Sequence, residues 1–193
     1  MQTCYFNKEE EMKFSIYILL FVVILLFLCT TSIRANGIAY KQYEKELILL
    51  VDDFLLTVRH SKNYEKRKEE ARKNIPLVIK YCKQYKLDPL LHGLVLREEA
   101  GWKPHAKGKK GEHGIGQVMP GKFYEGIDLT TIEGQIEGSA KRLRYAFDQC
   151  GGDLYKALTH YGCGHCISSS ERTKRKMKYR KEEYEKLVKK YRG

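Results

Sequence analysis

Asp88-Pro89-Leu90-Leu91-His92-Gly93-Leu94-Val95-Leu96-Arg97-Glu98-Glu99-Ala100-Gly101 reads as one central helix. Asp is a good N-cap, and Pro fits the first helical position, where its missing N–H has no intrahelical role. Leu90, Leu91, Leu94, Val95 and Leu96 make the helix apolar over much of its circumference, so other elements must cover it on several sides. Gly101 marks its end. Two carboxylates, Glu98 and Glu99, stand there. A carboxyl group at the end of a buried apolar helix is a candidate general acid, because desolvation favours its neutral form. Helical spacing alone does not separate the two.

Working outward, Asn74-Ile75-Pro76 opens a preceding helix with Ile75, Val78, Ile79, Cys82 and Tyr85 on one face. Before it, Tyr43, Leu47, Leu50, Val51, Phe54 and Val58 have amphipathic helical spacing and need a partner surface. His60 to Lys73 is polar and reads as a solvated helix or linker. After the central helix, Lys103 to Gly114 is a Gly- and Lys-rich loop with room for a short hairpin. Thr130-x-x-Glu133 reads as a capping box for a helix with Ile132, Ile136, Ala140, Leu143 and Phe147 inward, closed by Gly151-Gly152. Asp153 caps a short helix to Tyr161, and the tail from about Ser170 to Tyr191 is again helical. With no internal repeat and no convincing long strand, the fold class is mostly α.

From Phe14 to Cys29 the chain is almost wholly apolar. That length falls between a signal-peptide core and a spanning helix, so cleavage after Ala35 and retention as an anchor both stand open. Bulky Phe27 and Leu28 argue against lipidation at Cys29. The acidic Lys8-Glu9-Glu10-Glu11 is atypical of a signal, and translation is expected to begin at Met12.

A net charge of +12 over 193 residues indicates attraction to polyanions. Much of the excess lies between Arg172 and Arg192, where Met177, Tyr184, Leu187, Val188 and Tyr191 are spaced to pack inward. That basic helix is expected to recruit the protein to an acidic envelope surface without serving the chemistry. No zinc-finger spacing or RNA-binding signature supports a nucleic-acid partner. Cys82, Cys150, Cys163 and Cys166 suggest disulfides in an oxidising compartment, with Cys150 paired to Cys163 or Cys166 as the expected bond.

Two blocks carry a family resemblance: Glu99-Ala100-Gly101-Trp102-Lys103-Pro104 and Gly111-Glu112-His113-Gly114-Ile115-Gly116-Gln117-Val118-Met119-Pro120. They resemble the lytic transglycosylases, which share their fold with goose-type lysozymes. That family has Glu-Ser, a small residue, an aromatic and x-Pro, then Gly-Ala-x-Gly-Leu-Met-Gln-x-Met-Pro. A third block, His160-Tyr161-Gly162-Cys163-Gly164, stands where the family has Ala-Tyr-Asn-x-Gly. The blocks align without a gap between acid and Gln, which assigns Glu99 over Glu98.

The resemblance implies a lysozyme-like catalytic domain over 74–168. Residues 1–35 would be the export signal or anchor, 36–73 an amphipathic and charged helical segment, and 169–193 the basic helix. It also implies cleavage of the β-1,4 bond between N-acetylmuramic acid and N-acetylglucosamine in peptidoglycan, with 1,6-anhydromuramic ends. Glu99 would be the catalytic acid and base. Gln117, Met119, Tyr161 and His113 would bind substrate: Gln117 through donor and acceptor, Tyr161 by bonding Glu99 or the sugar, and His113 in place of a missing polar contact. Trp102 reads as core. No cofactor and no metal are implied. The location would be the periplasm or the outer face of the cytoplasmic membrane, with membrane contact through the N-terminal segment and envelope or secretion-apparatus proteins as candidate partners.

The chain departs from the pattern at Ala100, Gly108, Gly116 and Gly162, where the family has Ser, Ser, Met and Asn. Rival readings are a lysozyme-type hydrolase and a non-catalytic wall-binding component. The goose-type lysozymes' Asp two places after the Gln is Met119 here, which favours the transglycosylase. Cys163-Gly164-His165-Cys166 matches a disulfide-isomerase tetrapeptide but lacks the βαβ context. A zinc set of His160, Cys163, His165 and Cys166 is too crowded for finger spacing.

Overall fold

The computed structural model describes residues 20–25, 39–55 and 63–193. They fall in two compact units, 1–42 and 43–193. The apolar run, with its signal, anchor, lipidation and start-site readings, lies outside the described residues except for 20–25, which are helical with exposed side chains. No helix among the described residues is long and apolar enough to cross a membrane.

The larger unit is helical, with no strand among its described residues. Residues 39–55 form α1, of which 43–55 belong to this unit. Then come α2 (Tyr64–Lys73), α3 (Ile75–Gln84), α4 (Pro89–Ala100), a single 3-10 turn (Lys122–Tyr124), α5 (Ile132–Gln149), α6 (Leu154–Cys163) and α7 (Glu171–Arg192).

α4 is the axis, as its apolar circumference requires. Asp88 accepts from the Leu90 amide at 2.8 Å, and Gly101 ends the helix in the left-handed conformation with φ of 57°. Leu90, Leu94 and Leu96 join a cluster with Leu47, Leu50, Val51, Trp102, Ile136 and Leu187. Leu91 and Val95 join another with Leu143, Leu158, Tyr161 and Met177. Each fully buried Leu contributes roughly 1.5–3 kcal/mol. The partner surface that α1 needs is α4 itself. A Cβ on Gly93 would sit 2.5 Å from Leu47 Cδ2 and 3.0 Å from Leu50 Cδ2, so the crossing depends on glycine.

Two sequence expectations change. The cap of α5 is Thr131, which accepts from the Gly134 amide at 3.0 Å, while the Thr130 hydroxyl donates to Asp128. Glu133 is drawn away from the helix end to Lys80 and Tyr81, which donate to it at 2.7 and 2.8 Å, so no reciprocal box forms. The loop after α4 makes only isolated antiparallel bridges, Lys107 with His113 and His113 with Val118, in place of a hairpin.

Residues 43–193 form one compact unit, which runs across the limits at 73/74 and 168/169. α2 buries Ala71, and its Arg67 donates to the Gly101 carbonyl at the end of α4. α7 packs on α4 and α6 and buries Met177, Arg180 and Leu187. At its far end Arg192 donates to both oxygens of buried Glu46 on α1 and to Asp88, the cap of α4. Tyr184 donates to the same Asp88 at 2.9 Å. Burial pushes the Asp88 carboxyl up, but the Arg192 bonds and charge outweigh it and hold it below the usual carboxylate value. The basic helix is therefore a wall of the core whose outer face carries the charge.

Replacing Leu187, only 6% exposed, by Ala should lower unfolding free energy by about 2–4 kcal/mol in urea titrations. Truncation after Ser170 should abolish the cooperative thermal transition. A truncated chain that melts like the parent would show that α7 is an appendage.

Candidate active site

The end of α4 delivers Glu99 to a cleft of about 350 Å³, lined also by Gly108, Lys109, Lys110, Glu112, Gln117, Met119, Arg142, Tyr161 and Cys163. The structure thus separates the two carboxylates. Glu98 turns aside to Arg97, which donates to it at 3.0 Å and also ion-pairs with Glu183. Glu99, with its side chain 16% exposed, lies in the cleft wall with Oε1 2.8 Å from Nη1 of Arg180.

Gln117, Met119 and Tyr161 gather around Glu99 as the motifs suggest, but their roles narrow. Gln117 sits at a φ of +47°, and its amide nitrogen donates to the carbonyls of Ala106 at 3.2 Å and Gly114 at 2.9 Å. Those donors brace the loop, leaving the amide oxygen for a ligand. Met119 is half exposed at the cleft edge. His113 does not reach the Glu99 cleft; it lines an adjoining groove with Pro104, His105, Lys107 and Gln135. The backbone explains this, since the His113 amide and carbonyl both pair with Val118 and fix the loop's path. Trp102 is core, 1% exposed.

Tyr161 is the end of a buried chain whose proton positions follow from inventory. Its hydroxyl donates to the Gly116 carbonyl at 2.6 Å, which can only accept. The contact with Ser139 Oγ at 2.9 Å must then run from Ser139 to Tyr161. Ser139 has no second proton, so His92 Nε2, at 3.0 Å, donates to it. His92 Nδ1 is thereby the acceptor for the Cys82 thiol at 3.4 Å. Burial agrees with these states: it lowers the His92 imidazole to about 3 and raises the Cys82 thiol. Burial, then the Glu99 charge, also push the Tyr161 phenol far upward. With its proton directed at Gly116, the Tyr161 hydroxyl would meet Glu99 or a sugar through its oxygen as acceptor.

At the glycines that depart from the family pattern, a side chain would meet neighbours already in place. A Cβ on Gly116 would lie 2.4 Å from that of Ser139, and one on Gly162 would lie 2.9 Å from Met177 Cε. One on Gly108 would meet Glu112 Oε2 at 2.1 Å and Gln117 Oε1 at 2.8 Å. Side chains from α5, α7 and the loop occupy the room.

Sequence reasoning missed Arg142 and Arg180. The Arg142 guanidinium lies 4.9 Å from the Tyr161 ring centroid and donates to the Tyr161 carbonyl. Arg180 falls on the stripe Met177, Arg180, Tyr184, Leu187, and an arginine on an otherwise apolar stripe was the available signal. Among the expected cysteine pairings, Cys150 bonds Cys166 with a Cα–Cα distance of 5.6 Å. This withdraws Cys166 from both the tetrapeptide thiol pair and the zinc set, leaving Cys163 exposed and Cys82 buried as free thiols.

The family model of the Transglycosylase SLT domain matches residues 76–186, from α3 well into α7. No curated protein matches the chain.

A histidine at about 3 in the fold and 6.5 when unfolded takes its proton only on unfolding within that window. Stability should therefore be full above pH 6.5 and decline as pH falls toward 3, by on the order of 3 kcal/mol from His92 at pH 4. Urea midpoints at pH 7 and pH 4 should show a smaller acid loss in His92→Gln than in the parent. Equal acid losses would mean that His92 is not held neutral.

Proposed function

The chain belongs to the Transglycosylase SLT domain family, and from that membership we propose that it cleaves peptidoglycan glycan strands as a lytic transglycosylase with Glu99 as its single acid and base. The observation that carries this is the position of Glu99: at the end of a helix buried on several sides, in the wall of a cleft where Gln117, Met119 and Tyr161 converge.

In this reading the muramic–glucosamine linkage lies across Glu99, which gives its proton to the glycosidic oxygen as the bond to the anomeric carbon breaks. The resulting carboxylate takes the proton of the muramic 6-hydroxyl as that oxygen attacks the anomeric carbon, closing the 1,6-anhydro ring. Water is not consumed, and the nucleophile is already held within the substrate. The Gln117 oxygen accepts from a sugar N–H or O–H, and Met119 packs against an apolar sugar face. Lys109, Lys110 and Arg142 make the cleft suited to strands bearing carboxylates. Export belongs to the same proposal: the substrate is extracytoplasmic, and the Cys150–Cys166 bond suits an oxidising compartment.

One observation favours a second reading, hydrolysis. Glu112 also lines the cleft, and hydrogen bonds from backbone amides hold its carboxyl below the usual value. An ionised carboxylate there can activate a water molecule, as paired carboxylates do in ordinary glycosidases.

Mass spectrometry of digested peptidoglycan decides between them: anhydromuramic ends are expected, and reducing muramic ends with loss of activity in Glu112→Gln would establish the hydrolase. Glu99→Gln should reduce turnover at least about 100-fold, whereas Glu98→Gln should change it far less. Equal losses at 98 and 99 would undo the assignment.

A further inference from the structure

We propose that Arg180 of α7 is a positioning residue for Glu99, fixing which carboxylate oxygen faces the substrate and supplying the cation that the carboxylate needs after its proton has left. The proposal rests on the reading of Glu99 as proton donor. Arg180 lies outside the sequence blocks that carry the family resemblance, on a helix that composition alone marks as a basic tail.

Arg180 is fully buried, with a relative exposure of 0%. It does not line the cleft, so it stands behind Glu99. The Nη1–Oε1 separation is 2.8 Å, but the N–H is not aligned on the oxygen, and none of the three guanidinium nitrogens has a directed hydrogen bond among the described residues. The contact is a charge pair, which tolerates poor alignment as a hydrogen bond does not. Guanidinium groups keep their charge in proteins, and a buried charge requires a counter-charge. Glu99 is the only carboxylate paired with Arg180 among the described residues, because Glu98 and Glu183 are held by Arg97.

The geometry has a direct chemical consequence. Oε1 faces the guanidinium, which leaves Oε2 as the oxygen able to carry the acid proton. When Oε2–H passes its proton to the glycosidic oxygen, the bond from that oxygen to the anomeric carbon breaks and the departing sugar keeps the proton. Negative charge then appears on Glu99 beside a cation already in place, so no reorganisation is needed at that moment. The 6-hydroxyl proton returns to Oε2 when the anhydro ring closes, which leaves Glu99 the neutral acid again; the charge pair exists only while Oε2 is deprotonated. The helix is anchored to hold this registry, with Met177 in the core one turn before Arg180 and the Tyr184 bond to Asp88 one turn after.

The test uses the full chain with Arg180→Gln, Arg180→Lys, Glu99→Gln and the double variant Glu99→Gln/Arg180→Met. On soluble peptidoglycan fragments Arg180→Gln should lose about 100-fold in kcat with KM within about twofold, as for removal of a preorganised charge partner. Arg180→Lys, which keeps the charge, should stay within about tenfold of the parent. Independently of activity, Glu99→Gln should lower Tm by several degrees by leaving a buried guanidinium unpaired, and adding Arg180→Met should recover much of that loss. Parental kcat in Arg180→Gln, or a double variant no more stable than Glu99→Gln, would overturn the role of Arg180 while leaving the glycosidase reading intact. An inactive parent with strong Tm coupling would overturn the glycosidase reading, and the catalytic role of Arg180 with it.

Discussion

The apolar circumference of α4 has to be covered, and the unit is the arrangement that covers it. α1 crosses at Gly93, where a methyl group would collide with Leu47; α3 and α5 close one flank, and α6 and α7 complete the other. α4 is enclosed along much of its length and meets the cleft at its C-terminal end, where Gly101 turns the chain and Glu99 lines the wall. The same enclosure brings α7 directly behind Glu99, so a carboxylate and a guanidinium from distant parts of the chain share one small volume.

A cleft built this way is tuned by its neighbours more than by its motif. The family's Met and Asn are absent at Gly116 and Gly162, yet the space is filled by Ser139 and Met177, which approach from α5 and α7. Ser139 brings a hydroxyl where an apolar side chain would otherwise lie, and a buried polar atom requires partners. The partners are Tyr161 on one side and His92 on the other. One glycine in a loop is thus tied to a buried histidine in the first turn of α4.

Much of this was legible in the chain. Asp88, Asp153 and Gly101 announced their helix ends through side-chain and backbone chemistry that acts over three or four residues, and local chemistry survives folding. What failed to show depended on distant partners. Thr130 and Thr131 are equivalent as caps until Lys80 and Tyr81 capture Glu133. Gln117 looked free to use both ends of its amide until the Ala106 and Gly114 carbonyls took the donors. The motif placed His113 near Gln117, but backbone pairing with Val118 set it in the next groove. Arg180 was misread as one charge among many, because the carboxylate that accounts for its burial lies 81 positions away by number.

The polarity of the buried chain bears on how Tyr161 participates. Every donor from Cys82 to Tyr161 points the same way, and the last acceptor is a peptide carbonyl, which binds no proton under ordinary conditions. A proton conduit needs a basic terminus and a path that can be reset, and this one has neither. Tyr161 is consequently a fixed dipole at the edge of the cleft, and under the proposed mechanism proton traffic there begins and ends on the Glu99 carboxylate itself.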